Sequence, residues 1–349
     1  MSRLRAYLDW NATTPLRAEA RAAMVAAMDV VGNPSSVHAE GRAARALVER
    51  ARAQVAAALG AGAADVVFVS GATEAAALAC AGRGLVCAGV EHEAVSAWCD
   101  AGLHADDQGI VTVPDPGRAA LQLANSETGV VQALPPGLAV CDLTQGFGKL
   151  PFGFDWSGVD IGFVSAHKLG GPKGVGALVI RRGLDLVAQL KGGGQEMGRR
   201  AGTENLIGIA GFGAAAEAAA RDLADGIWEP VARLRNILES SLSEPDSGTI
   251  SVGHRAHRLP NTLCLVTPGW KGEAQVMQMD LAGFAVSAGS ACSSGKVRAS
   301  RVLRAMGFDE AAASCAMRVS LGPETAEAEV LRFAEVWAAA RARAQARMR

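Results

Sequence analysis

An acid and a lysine stand at the ends of two successive strand-like runs. Leu138-Ala139-Val140-Cys141 is apolar and delivers Asp142, with Thr144-Gln145-Gly146 just beyond. Val159–Ser165 has the composition of a second buried strand. It delivers Ala166-His167-Lys168 ahead of Gly170-Gly171-Pro172-Lys173-Gly174. Lys168 is therefore expected on a tight turn past a strand's C-terminal end, the edge where open α/β sheets bind ligands. Partial desolvation there lowers an ammonium's pKa and makes the amine an imine-forming nucleophile. Alone, such a lysine reads as loop surface and Asp142 as a helix cap or turn former. Together they are what pyridoxal phosphate (PLP) requires. The lysine holds the cofactor covalently, and the acid keeps the pyridine nitrogen protonated so that the ring accepts electrons.

PLP also carries a phosphate. Ser70-Gly71-Ala72-Thr73-Glu74 reads as a strand-to-helix turn of small residues, whose N–H groups and Thr73 hydroxyl would face an anion. No Gly-Lys-Ser/Thr follows, so it is not a P-loop; an ordinary capped turn is the competing reading. Ser165 and His167, beside Lys168, are candidates to complete the cradle. The stretch from Gly192 to Thr203 is too rich in glycine for a helix interior, and its Arg199, Arg200 and Thr203 suit a loop lining a site or an interface.

Of seven cysteines, none forms a Cys-x-x-Cys pair. The odd, scattered set argues against a disulfide framework or a metal site and for a reducing, cytoplasmic setting. Cys80, Cys87, Cys99, Cys141, Cys264 and Cys315 sit mostly among Ala, Val and Leu and read as packing. Cys292 differs. Its surroundings, Ser287-Ala288-Gly289-Ser290-Ala291-Cys292-Ser293-Ser294-Gly295-Lys296, have the makeup of an exposed loop, and Lys296 and Arg298 would favour the reactive thiolate.

The elements that must position these groups follow from periodicity. Amphipathic helices are expected over Arg17–Asp29 and Ala39–Leu59, a strand over Asp65–Ser70, and a helix from Thr73-Glu74. Further strand-like runs are Gly84–Ala88, Ile110–Val113, Leu121–Ala124, Gly176–Arg181 and Thr262–Val266; a final helix starts near Thr325. Strands alternating with helices indicate an α/β fold with a mostly parallel sheet. The 349 residues, half of them hydrophobic, suffice for about two domains. Polar composition around Ser243–Gly253 marks a boundary. The division expected is a large PLP-binding domain over 15–250 and a smaller α+β domain formed by 1–14 and 251–349. A formal net charge of −1 offers no field for nucleic acid or an anionic membrane. No apolar run of about 18 residues is present, and residues 1–9 do not resemble a signal peptide.

These pieces, taken together, resemble the cysteine desulfurases of the class V aminotransferase superfamily, PLP fold type I. The resemblance rests on Tyr7-Leu8-Asp9-Trp10-Asn11-Ala12-Thr13-Thr14-Pro15, Gly32-Asn33-Pro34-Ser35-Ser36-Val37-His38, Ser70–Glu74, Glu91-His92, Asp142–Gln145, Ser165–Lys168, Arg200–Thr203, Gly289–Gly295 and Arg318–Gly322, in the family's order. It implies that Lys168 anchors PLP and Asp142 pairs with the pyridine nitrogen. His92, by itself a helix cap or core histidine, would stack on the ring and act in proton transfer. Gln145 would contact the ring hydroxyl, while Ala72, Thr73, Ser165 and His167 would hold the phosphate. Thr203 would join them from a second subunit, which implies a homodimer. Arg318 would bind the α-carboxylate of the substrate, L-cysteine, with Asn33 assisting. Cys292 would accept the sulfur as a persulfide, release alanine, and pass the sulfur to an acceptor or scaffold protein for iron–sulfur clusters or thiolated cofactors. The long loop before Val302 resembles the scaffold-serving branch of the family.

The chain departs from the pattern twice. Where the family carries two asparagines, the second a ligand of the PLP hydroxyl, this chain has Asn125-Ser126. Ser126 can still donate a hydrogen bond but is shorter, and Asn125 could swing in. The segments from Thr73 to His92, His92 to Ser126 and Gly129 to Asp142 are also shortened, so helices around Pro114–Arg118 and Pro135–Gly137 are expected to be trimmed, either exposing apolar surface for a partner or giving only a streamlined form of the same fold. Two other functions compete: a PLP aminotransferase or lyase for another amino acid, which Cys292 opposes, and a weakly active scaffold subunit, which the intact Lys168, Asp142, His92, Arg318 and Cys292 oppose.

Overall fold

The computed structural model describes residues 5–243, 248–289 and 299–346. Cys292, Lys296 and Arg298 lie outside them. The strands are β1 (Ala6–Tyr7), β2 (Ala64–Val69), β3 (Val86–Ala88), β4 (Asp100–Leu103), β5 (Ala120–Gln122), β6 (Val140–Asp142), β7 (Ile161–Ser165), β8 (Gly176–Arg181), β9 (Ile250–Ser251), β10 (Thr262–Val266), β11 (Phe284–Ala285), β12 (Ser287–Ala288) and β13 (Ala316–Ser320). The helices are α1 (Ala18–Met28), α2 (Ala39–Ala58), α3 (Ala72–Cys80), α4 (Glu93–Ser96), α5 (Phe154–Ser157), α6 (Leu206–Ala224), α7 (Trp228–Leu242), α8 (Gly272–Leu281), α9 (Arg301–Ala305), α10 (Glu310–Ala313) and α11 (Glu327–Ala346).

The larger sheet has the order β2-β8-β7-β6-β5. A parallel bridge from Val86 to Ala119 extends it to β3, and β4 pairs in parallel beyond. Within the five-stranded part, β5, β6 and β7 run in parallel, and β8 is antiparallel to both β7 and β2. β8 reverses because β7 reaches it through a tight glycine-rich turn with no crossover helix, and that turn carries Lys168. Long α1, α2 and α6 pack together on one side of the sheet, and α3 covers the other. The close approach of α6 needs its glycines. A Cβ on Gly213 would stand 2.8 Å from the Ala51 Cα, and one on Gly211 would stand 2.6 Å from Met24 Cγ.

A second sheet, β12-β13-β10-β9, has its own core with Leu8, Phe284, Phe333 and Trp337. Trp228, Val231, Leu238 and Leu242 of α7 belong to that core. The N-terminal segment is stitched onto this unit: Leu8 N–H donates to Ala285, Ser320 N–H to Leu8, and Trp10 N–H to Ser320.

One expectation needs correction, and one open alternative is decided. Ile110–Val113 is not a strand; Val111 makes only an isolated bridge to Ala105. Asp106 Oδ1 accepts from the N–H groups of Gln108 and Ile110, and Gly109 takes φ +83°, so the segment closes into a local turn. Shortening of the connections also leaves the sheet covered. Only a 3-10 turn, Pro116–Arg118, stands before β5, yet Ala120, Val140 and Ile161 are all buried.

The turn after β7 tolerates little change. A Cβ on Gly171 would lie 2.8 Å from the Ala166 Cβ and 3.0 Å from its carbonyl oxygen, and Gly170 holds φ +88°. Gly171→Val should shift the Lys168 backbone and cut PLP loading at least about tenfold, a loss of about 1.4 kcal/mol of cofactor binding. Absorbance titration with PLP, beside a melting curve, checks this; normal loading would contradict it.

Candidate active site

The polar groups expected to act together sit at one end of the larger sheet. β2 leads into Gly71, Ala72 and Thr73 at the start of α3, and β3 leads towards His92 at the start of α4. β5 is followed by Asn125 and Ser126, β6 ends in Asp142 with Gln145 in the next turn, and β7 ends in Ser165 before His167 and Lys168. This is the C-terminal edge of the parallel strands, as the sequence predicts.

Lys168 is held from the N-terminal segment. Its Nζ donates to the carbonyls of Asn11 (2.7 Å) and Ala12 (3.0 Å), and Thr14 Oγ1 donates to the Lys168 carbonyl (2.9 Å). Asn11 is fully buried and uses every polar group. Its N–H donates to Ser320 Oγ, its Nδ2 to Thr262 Oγ1 and the Ser126 carbonyl, and its Oδ1 accepts from Asn261. Its carbonyl also accepts from Gln145 Nε2 at 3.0 Å. One residue thereby connects the lysine, both sheets and the Ser126 loop. Asn11 and Asp9 lie in the first stretch that carries the family resemblance, but the local sequence gives them no role because their partners are about 120 to 310 residues away.

Asp142 accepts from the Thr144 N–H at 2.8 Å. Burial raises its pKa, while the Thr144 contacts and the charges of His92 and Lys168 pull it back. Glu91, fully buried beside it, is held well above the usual carboxylate range by desolvation. His92 is the N-cap of α4, and its Nδ1 accepts from the Ala94 N–H at 3.1 Å. In the neutral ring this leaves the proton on Nε2. The cap reading and the catalytic reading of His92 are therefore compatible.

The start of α3 has the features of an anion cradle. Gly71 is the N-cap and provides no side-chain cap for the first N–H groups. A Cβ there would come within 3.8 Å of Ser165 Oγ, so the serine hydroxyl lines the same concavity. His167 Nδ1 lies 3.2 Å from Thr13 Oγ1; burial, then Lys168 and Lys173, brings its pKa down to about 4, so it is neutral near pH 7.

A second cluster faces the end of the smaller sheet. Arg318, on β13, donates to Asp9 Oδ1 (2.6 Å) and the Ser126 carbonyl (2.9 Å), while its buried Nε has no hydrogen-bond partner. Asp9 also accepts from Ser287 Oγ at 2.8 Å, on the strand paired with Arg318. Glu127, next to Ser126, accepts from Ser300 Oγ at 2.6 Å. Desolvation pushes the Glu127 pKa up to about 7, against Ser300 and the charges of Arg318, Arg301 and His92. Gly289 and Ser300 flank the segment containing Cys292, and both touch this cluster: Gly289 lies beside Glu127 and Ser300 bonds to it.

One expectation changes at this level, and the positions of two further residues are fixed. Asn125 cannot swing in for Ser126. Its Oδ1 accepts from the N–H groups of Glu127 and Thr128, and its Nδ2 donates to the Val90 carbonyl. Asn33 is exposed, and its Oδ1 accepts from the Ser35 N–H of its own turn. Thr203 is exposed, on a loop whose Arg200 pairs with Glu74 of the same chain at 2.8 Å.

Comparison with known proteins now bears on this geometry. The family described as aminotransferase class-V matches residues 6–108 and 111–333. A cysteine desulfurase of Cereibacter sphaeroides is 39% identical over 95% of this chain and 94% of its own. The cysteine desulfurase IscS of Dictyoglomus turgidum is 35% identical over 93% of this chain and 91% of its own. The chain belongs to the class-V aminotransferases, among the cysteine desulfurases. Among solved structures, a NifS-like protein from Rickettsia africae superposes with a TM-score of 0.86 at 29% identity, covering 95% of this chain and 98% of that one. The α/β fold of PLP fold type I is thus the fold of this cysteine desulfurase.

PLP, the cofactor of this family, fits the residues present. An amine, a carboxylate and a glycine-capped helix start are grouped at one edge of the larger sheet, and a buried guanidinium with an unpartnered N–H on the smaller sheet is linked to the amine through Asn11 and the Ser126 carbonyl. Lys168 would hold the cofactor covalently, Asp142 would face the pyridine nitrogen, and Ala72, Thr73, Ser165 and His167 would receive the phosphate.

Glu127 gives a pH signature. Its folded pKa is raised above that of the unfolded chain, so the folded form keeps its proton while the unfolded form loses it between about 4.5 and 7. Stability contributed at this site falls as pH rises through that window and levels off above it. Glu127→Gln should remove that part of the slope, as read by urea unfolding from pH 4.5 to 8; an unchanged slope would rule the effect out.

Proposed function

We propose that this protein is a PLP-dependent cysteine desulfurase that converts L-cysteine to L-alanine and takes the sulfur on Cys292 for transfer to an acceptor protein in iron–sulfur cluster or thiocofactor assembly. The observation that carries the assignment of roles is the convergence of Lys168 and Asp142 at the sheet edge, with Arg318 one strand away from the head of the Cys292 segment. When bound, the cofactor supplies an electron sink for bonds broken at the amino acid.

The chain's own groups do the rest. Asp142 would hold a proton on the pyridine nitrogen, and its Thr144 contacts and Lys168 oppose the rise in pKa that burial causes. Gln145 and Ser126 would hold the ring hydroxyl. Arg318 binds the substrate α-carboxylate; Asp9 fixes the guanidinium plane from behind, and Nε is the donor left to spare. Lys168 and His92 move protons at the substrate, His92 from Nε2. The Cys292 thiolate attacks the substrate sulfur, forming an S–S bond as the C–S bond breaks. The carbon keeps the bonding pair, takes a proton, and leaves as alanine. Thr203 contributes from the second subunit of a cytoplasmic homodimer, testable as a mass twice the 35.8 kDa of one chain.

The direct test is the visible spectrum of the purified protein followed by product assays with L-cysteine and a reductant. A bound-PLP band with alanine and sulfide in equal amounts is expected. Cys292→Ala should keep the band and lose sulfide release at least about a hundredfold, a barrier rise of about 2.7 kcal/mol. Unchanged sulfide release in that variant would rule out the persulfide site. Lys168→Ala should lose the covalent cofactor band. A band without turnover would shift the assignment towards a partner-activated or scaffold subunit.

A further inference from the structure

Lys149 is a buried cation that the desulfurase reaction, as set out above, does not use. It is 4% exposed, in the turn after β6, four residues beyond Gln145. Burial, with Lys168 and Arg318 adding repulsion, brings its pKa down to about 7. A buried ammonium is costly, and an apolar side chain of similar volume would serve packing better. Its side-chain hydrogen bond among the described residues is to Gln145 Oε1, at 2.9 Å. The other end of that amide, Nε2, donates to the Asn11 carbonyl at 3.0 Å, the same oxygen that accepts from Lys168 Nζ at 2.7 Å.

An amide can be turned end for end at almost no change in shape, so only its partners decide which end faces the site. In its protonated form, which prevails below its pKa of about 7, the lysine has donors and no acceptor, and a carbonyl has acceptors and no donor. Lys149 on one side and Asn11 on the other therefore admit one orientation, with the oxygen towards Lys149 and the N–H groups towards Lys168. Gln145 Nε2 uses one of its two N–H groups on the Asn11 carbonyl, the oxygen that also accepts from Lys168 Nζ, so its second N–H is available beside that lysine.

We propose that Lys149 is a positioning residue. It locks the Gln145 amide with its donor end towards Lys168, so that Gln145 donates a hydrogen bond to the ring hydroxyl oxygen of PLP. The proposal rests on the assignment of Lys168 and Gln145 as PLP-binding residues. Lys149 acts through Gln145 alone and touches neither cofactor nor substrate.

The test is a double-mutant cycle of Lys149→Met and Gln145→Met in the full chain. Its readouts are the PLP dissociation constant of the apoprotein and the maximum and pH-titration midpoint of the visible band. Lys149→Met is expected to weaken PLP binding about tenfold, as for one lost hydrogen bond, and to move the band. Gln145→Met is expected to do the same, and the double variant to show no further change. A band and affinity equal to those of the unmodified chain, or losses that add in the double variant, would overturn the role and leave the cofactor assignment standing. Failure of the unmodified chain to acquire the band would overturn that assignment, and with it the role of Lys149. If Lys149→Met does not fold, Lys149→Gln serves in its place. Its amide can donate or accept and no longer dictates the orientation of Gln145, so the band is expected to move in the same direction; an unmoved band overturns the role.

Discussion

The arrangement of this active site depends on the burial of Asn11. A fully buried asparagine must have its amide and backbone groups paired, because each unpaired polar group left in the interior costs about 1–3 kcal/mol. Here the pairing extends to Lys168, Gln145, Ser126, Asn261, Thr262 and Ser320. The N-terminal segment cannot shift without breaking several of these bonds at once. It is the part of the chain that fixes the distance between the sheet edge bearing Lys168 and the strand bearing Arg318. Trp10 adds a steric lock, since a Cβ on Gly322 would fall 1.9 Å from its indole ring.

Around that hub, charges are desolvated in excess of what folding needs. Lys149, Lys168 and Arg318 repel one another, and Glu91, Glu127 and Asp142 all have pKa values raised by burial. Such groups cost stability, and sites that handle protons are where proteins accumulate them. The acids divide by environment. Asp142 has a backbone donor at Thr144 and the charge of Lys168 nearby, which favour its charged form. Glu91 has one backbone donor from Gln122, an unpartnered Oε2 and the charge of Asp142 beside it, which favour the neutral form. Burial raises the pKa of both carboxyl groups, and the hydrogen-bond donors around them oppose it to different extents.

The shortened segments alter the periphery and spare this centre. Connections between β4, β5 and β6 do without long helices, yet the strands remain buried and in line. A parallel pair such as β5 and β6 needs a crossover but not necessarily a helical one. Here the excursion is a bridge between Ala124 and Val131 that places Asn125, Ser126 and Glu127 over the site. Asn125 closes that turn with its own side chain, which frees Ser126 and Glu127 to face Asn11, Arg318 and Ser300.

The sequence by itself determined the alternation of strands and helices, the strand-end positions of Asp142 and Lys168, the glycine turn at Gly71 and the singular surroundings of Cys292. All of these are local: apolar runs bounded by glycine and polar residues record where a strand ends, and a strand's end is where a ligand sits. The family motifs added roles for His92, Gln145 and Arg318. Tertiary structure alone decided the partners. Asp9 meets Arg318 and Asn11 meets Lys168 across more than 150 residues, and nothing in the local pattern of either segment specifies such a contact. Lys149 shows the limit most clearly. Its spacing from Gln145 is legible, but a lysine in a sequence reads as surface, and only packing on all sides turned it into a buried cation. Periodicity reports which face of an element is apolar, while the pairing of polar groups across elements is set by the three-dimensional fit that brings those faces together.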